Sequence, residues 1–227
     1  MKTIKSKRMK ENYKLVDKTK KYSLSDAVAI LEKLPKTKFD ESVELHFFLA
    51  IDPKANEESV RGTVILPNGI GKKVRVAVVC KGEQIAKAEA AGADYYGAED
   101  LIDKIAKGFM DFDVVVSAPD MMRELSKLGK ILGPRGLMPT PKAGTVTADI
   151  EKAIREAKAG KVEFKSDKQA GIHINFGKRS FSKEKLLENA QYLIDAIEHA
   201  KPAAVKGNLI KTLSLSTTMG PGLRIAL

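Results

Sequence analysis

The spacing of apolar residues changes twice along this chain, and no other feature constrains the fold as much. In Val43–Leu49, apolar Val43, Leu45, Phe47 and Leu49 alternate with Glu44, His46 and Phe48. That period of two predicts a strand with one buried face. From Val74 to Cys80 the rhythm becomes a continuous run rich in β-branched residues, as in a strand covered on both faces. After Gly160 the alternation returns.

The segments around these runs follow the same division. Leu24, Val28, Leu31 and Leu34 have helical spacing, Ser23 or Ser25 can cap the helix, and Pro35 stops it. The first strand ends at Asp52-Pro53. Arg61–Leu66 is a second strand, closed by Pro67-Asn68-Gly69. In the middle, a helix over Gly82–Ala91, a strand over Asp94–Tyr96, a helix over Glu99–Lys107, a strand over Phe112–Ser117 and a helix from Asp120 alternate. A Gly/Pro-rich connection, Gly129–Gly144, leads to a helix over Asp149–Ala159. Strand–helix alternation predicts a small parallel, doubly wound sheet. Beyond it lie strands over Val162–Lys165 and Gly171–Phe176, a helix over Ser182–Ala200 and a strand over Leu209–Ser216. The expected fold is therefore an α+β domain built from both chain ends, residues 1–67 plus 159–227. An α/β domain, residues 68–158, is inserted in it.

Charge follows the same partition. The net charge is +11, yet residues 68–158 hold 15 basic and 13 acidic side chains against 25 and 16 in the flanks. The ends thus carry +9 and the middle +2. Nine Lys and Arg lie in the first 22 residues against Glu11 and Asp17 alone. Such a segment is either a solvated, frayed helix or an arm that gains by meeting phosphates. A polyanionic partner follows for the domain made by the ends.

Several chemistries are disfavoured. Cys80 is the one cysteine, so no internal disulfide forms, and His46, His173 and His199 lack metal-ligand spacing. Gly69-Ile70-Gly71-Lys72-Lys73 precedes a strand where a phosphate loop follows one, and it lacks the Ser or Thr of that loop. No nucleophile motif is present. A nucleotide- or sugar-phosphate-binding α/β protein is the alternative class, and it wants a phosphate grip that this chain does not offer. No cofactor and no metal are expected. No apolar run reaches the ~20 residues of a membrane span, and the basic N-terminus lacks the apolar stretch of a signal. A cytoplasmic protein with no membrane partner is the expectation.

Three stretches invite a binding role. In Lys36–Ser42, Phe39 sits between lysines and acids where the apolar pattern has stopped. It either packs on the preceding helix or stacks on a base or sugar while lysines hold phosphates. Ser214–Gly222 is a run of hydroxyls followed by Met219 and two glycines. It is either a plain polar strand end or a place where hydroxyls and backbone N–H groups meet ribose and phosphate. Leu128–Thr145 is a long basic loop with four glycines and three prolines.

At that loop a likeness emerges. KLGKILGPRGLMPTPKAGTV resembles the signature of the universal large-subunit ribosomal protein L-one family. KRMKENYKLVD, KFDESVELHFFLAIDPK, RGTVILPNGIGKKVRVAVV, AGADYYGAEDLIDKI, FDVVVSAPDMM, KAGKVEFKSDK and STTMGPGLRI resemble its bacterial form in the same order, over essentially the whole chain. Thr140, where many members have Asn, and the short end after Arg224 depart from the pattern. The resemblance implies an RNA-binding domain made of both ends and an inserted Rossmann-like three-layer domain. It implies binding to the mobile ribosomal RNA stalk beside the exit site for transfer RNA. Help in releasing deacylated transfer RNA, and repression of the protein's own operon messenger RNA, are implied with it. It further implies no enzymatic activity, a place on the ribosome and a monomer off it. Carried over by motif, the RNA-facing residues are Lys38, Phe39 and Glu44, then Thr212, Thr217, Thr218, Met219 and Gly220, with Lys165 and Asp167 in FKSDK.

Overall fold

A computed structural model describes residues 6–52, 59–203 and 205–226. Pro53, half of the expected strand stop, lies outside them, as do Lys2 and Lys5 of the basic N-terminal segment. In chain order the elements are α1 (Lys7–Leu15), β1 (Lys21–Tyr22), α2 (Leu24–Lys33), β2 (Ser42–Leu49) and β3 (Arg61–Ile65). Then come β4 (Val76–Val79), α3 (Glu83–Ala90), β5 (Tyr95–Gly97), α4 (Glu99–Ala106), β6 (Val114–Ser117), α5 (Met122–Leu125), α6 (Gly129–Leu132) and α7 (Ile150–Ala159). The chain continues through β7 (Lys161–Lys165), β8 (Gly171–Lys178), α8 (Lys183–His199), β9 (Ile210–Thr217) and β10 (Leu223–Ile225). Two compact units divide it, residues 1–71 with 162–227, and residues 72–161.

The first unit is built on a five-stranded sheet in the order β1-β10-β9-β2-β8, with β3 and β7 pairing separately. Strand β2 is antiparallel to both β8 and β9. Its alternating residues Val43, Leu45, Phe47 and Leu49 are buried, as are Ile172, Ile174 and Phe176 of β8 and Leu213 and Leu215 of β9. Helices α2 and α8 cover that face with Ala27, Val28 and Leu31, and with Leu186, Ala190, Leu193 and Ile197. Of the two serines that could cap α2, Ser23 does so, its Oγ accepting from Asp26 N–H at 3.1 Å. The start and end of the chain meet in this sheet: β1 runs parallel to β10, with Lys21 beside Arg224 and Tyr22 beside Ile225. Neither of these short strands is visible as a periodic run in the sequence.

The second unit carries a parallel sheet in the order β5-β4-β6. Alternate residues of its strands feed opposite cores. Val76, Val78 and Val116 pack with Ala88 of α3 and with Ile150, Ala153, Ile154 and Ala157 of α7. Ala77, Val79 and Val115 pack with Leu101, Ile102 and Ile105 of α4 and with Met121, Leu125, Leu128 and Leu132. Helices on both faces explain why these strands read as unbroken apolar runs.

The stretch expected to be a helix from Asp120 and then a loop from Gly129 differs in detail. It is a string of short turns, with a 3₁₀ segment Pro119–Met121 before α5 and another, Ser126–Leu128, between α5 and α6. The apolar spacing of Met121, Leu125, Leu128 and Leu132 carries burial into the glycine-rich region, so the open part begins only at Gly133. Farther on, Val146 forms a single parallel bridge to Ser117, and the end of the connection is tied to the sheet.

One ion pair in this unit has a pH signature. Burial pushes the Asp113 carboxyl up, but Lys72 Nζ at 2.7 Å, the Arg75 backbone N–H at 3.1 Å and Arg75 Nε at 3.2 Å outweigh it and hold the pKa at about 2. A depressed carboxylate contributes stability above its unfolded pKa, and that contribution fades as pH falls through the folded value. Asp113→Asn is therefore expected to lower stability by about 1 kcal/mol at neutral pH after solvent screening, and to flatten the loss between about pH 4 and pH 2. Acid unfolding followed by circular dichroism checks this; superimposable acid limbs for the two proteins would contradict it.

Candidate nucleic-acid interface

The period of two that buries one face of the five-stranded sheet leaves the other polar and open. Registers across it align Lys21, Arg224, Ser214, His46 and His173 in one row. Glu44 lies between Ser216 and Asn175, and Phe48 between Thr212 and Gly171. Phe48 is 46% exposed, with Lys211 Nζ 5.6 Å from its ring centroid. A cation over an exposed ring favours stacking of a further flat group on the free side.

Hydrogen bonds order the centre of this face. His46 Nε2 lies 2.8 Å from Ser216 Oγ, and its Nδ1 lies 2.9 Å from Nδ1 of His173. Only one proton fits between those two nitrogens. Burial, and then the His173 charge, hold the His46 pKa below its ordinary value, against a smaller pull upward from Glu44. His173 Nε2 in turn approaches Asp167 Oδ2 at 3.7 Å. Asp167 accepts backbone N–H bonds from Gly171 and Gln169, both at 2.7 Å, and these bonds lower its pKa. Asp167 thus reaches the same face from the β7–β8 turn, and exposed Lys165 ends β7 beside that turn.

At one end of the sheet the β9–β10 turn meets the α2–β2 connection. Gly220 N–H donates to Thr217 O at 3.0 Å, closing a turn over Thr218 and Met219. A Cβ on Gly220 would collide with the Thr217 hydroxyl, so the turn needs glycine there. Thr218 is zipped to Ser42: its N–H donates to Ser42 O at 3.1 Å, and its Oγ1 accepts from Ser42 N–H at 3.0 Å. Both backbone groups of Met219 are held by charged side chains. Its N–H donates to Glu41 Oε1 at 3.1 Å, and its carbonyl accepts from Arg8 Nη2 at 2.9 Å. The Met219 side chain remains 50% exposed.

Across from this turn, Thr37 Oγ1 donates to Phe39 O at 2.7 Å, and Asp40 accepts from the N–H and hydroxyl of Ser180. Phe39 is 54% exposed and does not belong to the core under α2. Of its two readings, packing on the preceding helix does not describe the molecule.

The structure brings most of the expected residues together. Lys38, Phe39, Thr218, Met219 and Gly220 gather at the sheet end, while Glu44 and Thr212 lie on the open face and Asp167 connects to it through His173. Thr217 is the exception. It is buried, with its hydroxyl 3.4 Å from Glu41 Oε1, so it shapes the turn from inside. Sequence reasoning left out His46, His173 and Phe48 as members of the surface, while Ser214 and Ser216 belong to the hydroxyl run it singled out. The period of two in β2 already placed His46 and Phe48 with Glu44. Nothing in the sequence marked Glu41, Arg8 and Arg179 as partners of one another. No group of side chains with the makings of a metal site occurs among the described residues. No helix among them is long and apolar enough to cross a membrane.

Comparison with known proteins adds an independent finding. The profile of the family described as Ribosomal protein L1p/L10e matches residues 31–221. A large ribosomal subunit protein uL1 of Protochlamydia amoebophila is 53% identical over 222 residues, covering 98% of this chain and 94% of the relative. A protein of the same description from Kosmotoga olearia is 50% identical over 220 residues, covering 97% and 95%.

Proposed function

The chain belongs to the ribosomal protein L1p/L10e family, and from that premise we propose that it is a non-enzymatic, RNA-binding constituent of the large ribosomal subunit. Its RNA-binding domain is the pair of chain ends, residues 1–67 with 159–227, and residues 68–158 are an inserted domain. The open sheet face and the Thr217–Gly220 turn take the mobile ribosomal RNA stalk beside the exit site for transfer RNA. There the protein assists release of deacylated transfer RNA. Off the ribosome, as a cytoplasmic monomer, it represses its own operon messenger RNA by binding a stalk-like structure. These last two roles rest on the likeness to the bacterial form.

One observation carries the RNA contact. Met219 and Phe39 stand half-exposed at the end of a polar face, and the Met219 backbone is fixed by buried or paired groups. Large apolar side chains on rigid, hydrogen-bonded backbone fit a folded RNA surface by shape, while nearby Lys38 and Lys36 supply charge.

In filter binding with an RNA fragment carrying the stalk, Met219→Asp is expected to weaken affinity by about 1–3 kcal/mol. Thr218→Ala, which removes the side-chain half of the link between the turn and Ser42, is expected to fall in the same direction. Unchanged affinity in two folded variants would remove this turn from the contact.

A further inference from the structure

Between the exposed turn and the core lies a charged group that no binding role has used. Glu41 is 1% exposed, and three elements converge on its carboxylate. Oε1 accepts the Met219 N–H and stands 3.4 Å from the Thr217 hydroxyl. Oε2 accepts from Arg179 Nη1 at 2.8 Å. Arg8 Nη1 lies 4.0 Å from Oε1, while its Nη2 holds the Met219 carbonyl.

Arg179 is anchored in its turn. Pro35 ends α2 and leaves carbonyls of its last turn without helical partners. Arg179 Nη1 donates to Pro35 O at 3.2 Å, and Nη2 donates to Leu31 O at 2.8 Å and to Leu34 O. A cation suits the negative end of a helix, and a planar fork with fixed donor directions transmits that position to Glu41.

We propose that Glu41 is a positioning residue for RNA recognition, clamped between Arg179 and Arg8 so that the Met219 side chain is presented in one orientation before RNA arrives. This rests on the reading of the turn as an RNA contact. Removing water from a carboxylate is costly, and the cost is recovered only when its partners are well placed. A carboxylate used merely to stabilise the core has no need of Met219 as a ligand. Here one oxygen faces the core guanidinium and the other faces the turn. Preorganisation of this kind lowers the ordering cost of binding without adding a contact to the RNA.

A double-mutant cycle with the full chain tests it. The probes are filter binding to a stalk RNA fragment and the methyl resonance of Met219 in selectively labelled protein. Glu41→Gln is expected to weaken binding by about tenfold and to shift or broaden the Met219 methyl signal, while adding less than about twofold in a Met219→Ala background. Equal losses in both backgrounds, or no loss at all, would overturn the proposal, because a residue that merely supports the fold does not act through Met219. If Glu41→Gln does not fold, Arg8→Ala runs the same cycle from the partly exposed partner, with the same outcomes expected. If Met219→Ala itself leaves affinity unchanged, the turn is not the RNA contact. The methyl signal then decides alone: movement in Glu41→Gln supports the clamp, and an unmoved signal overturns it.

Discussion

Raising monovalent salt from about 50 to about 200 mM is expected to weaken binding of the stalk fragment by about two to three orders of magnitude. Exposed Lys21, Lys36, Lys38, Lys165, Lys168, Lys211 and Arg224 surround the open face and its end, and none makes an ion pair among the described residues. If about four to six of them neutralise phosphates, counterion release gives a slope of about −3 to −5 in log affinity against log salt. Lys38→Ala is then expected to flatten that slope by about one unit, while Met219→Asp shifts the whole line down with its slope retained. The two variants separate charge from shape. A slope near zero would mean that the basic residues of the two ends play no part in the contact.

That charge could be assigned to one domain from the sequence because 25 basic and 16 acidic residues flank a nearly neutral middle. The same holds for β2, whose buried and open sides are told apart by period alone. What period cannot give is the partner of each strand. His46 meets His173 at a separation of 127 residues and Ser216 at 170; each looks like an ordinary polar strand position until the registers are known. Glu41 and Arg179 were illegible for a stronger reason. A buried ion pair consists of two residue types that usually lie on the surface, so burial contradicts the prior at both positions. Thr217 shows the opposite case. Hydroxyls in a row read as surface, yet the alternation of β9 buries Thr217 with Leu213 and Leu215 and leaves Thr212, Ser214 and Ser216 facing out. In the second unit, apolar residues at helical spacing through Leu132 outweighed the glycines that suggested a loop. Turn-forming residues set local preference only where burial makes no demand.

Phe47→Ala and Phe48→Ala are expected to fail in opposite ways, and the pair tests the whole chain of inference from period to function. Phe47 is 2% exposed in the core under α2 and α8. Its truncation removes a large buried ring and leaves a cavity, at a cost of about 3–5 kcal/mol in stability. Measured on the fraction that remains folded, RNA affinity is expected to change little, since the side chain points away from the open face. Phe48, one residue on, points into that face and stays 46% exposed. Phe48→Ala is expected to alter stability by less than about 0.5 kcal/mol. It is expected to weaken RNA binding by about 1–3 kcal/mol if a base or ribose stacks on the ring beside Lys211. Denaturant unfolding and filter binding on both proteins give four numbers. Should Phe48→Ala bind as tightly as the parent, the RNA does not lie on the sheet and the contact shrinks to the Thr217–Gly220 turn and its neighbours Lys38 and Phe39. Should Phe47→Ala lose affinity as much as stability, the face depends on core packing for its shape, and charge and stacking alone do not account for recognition.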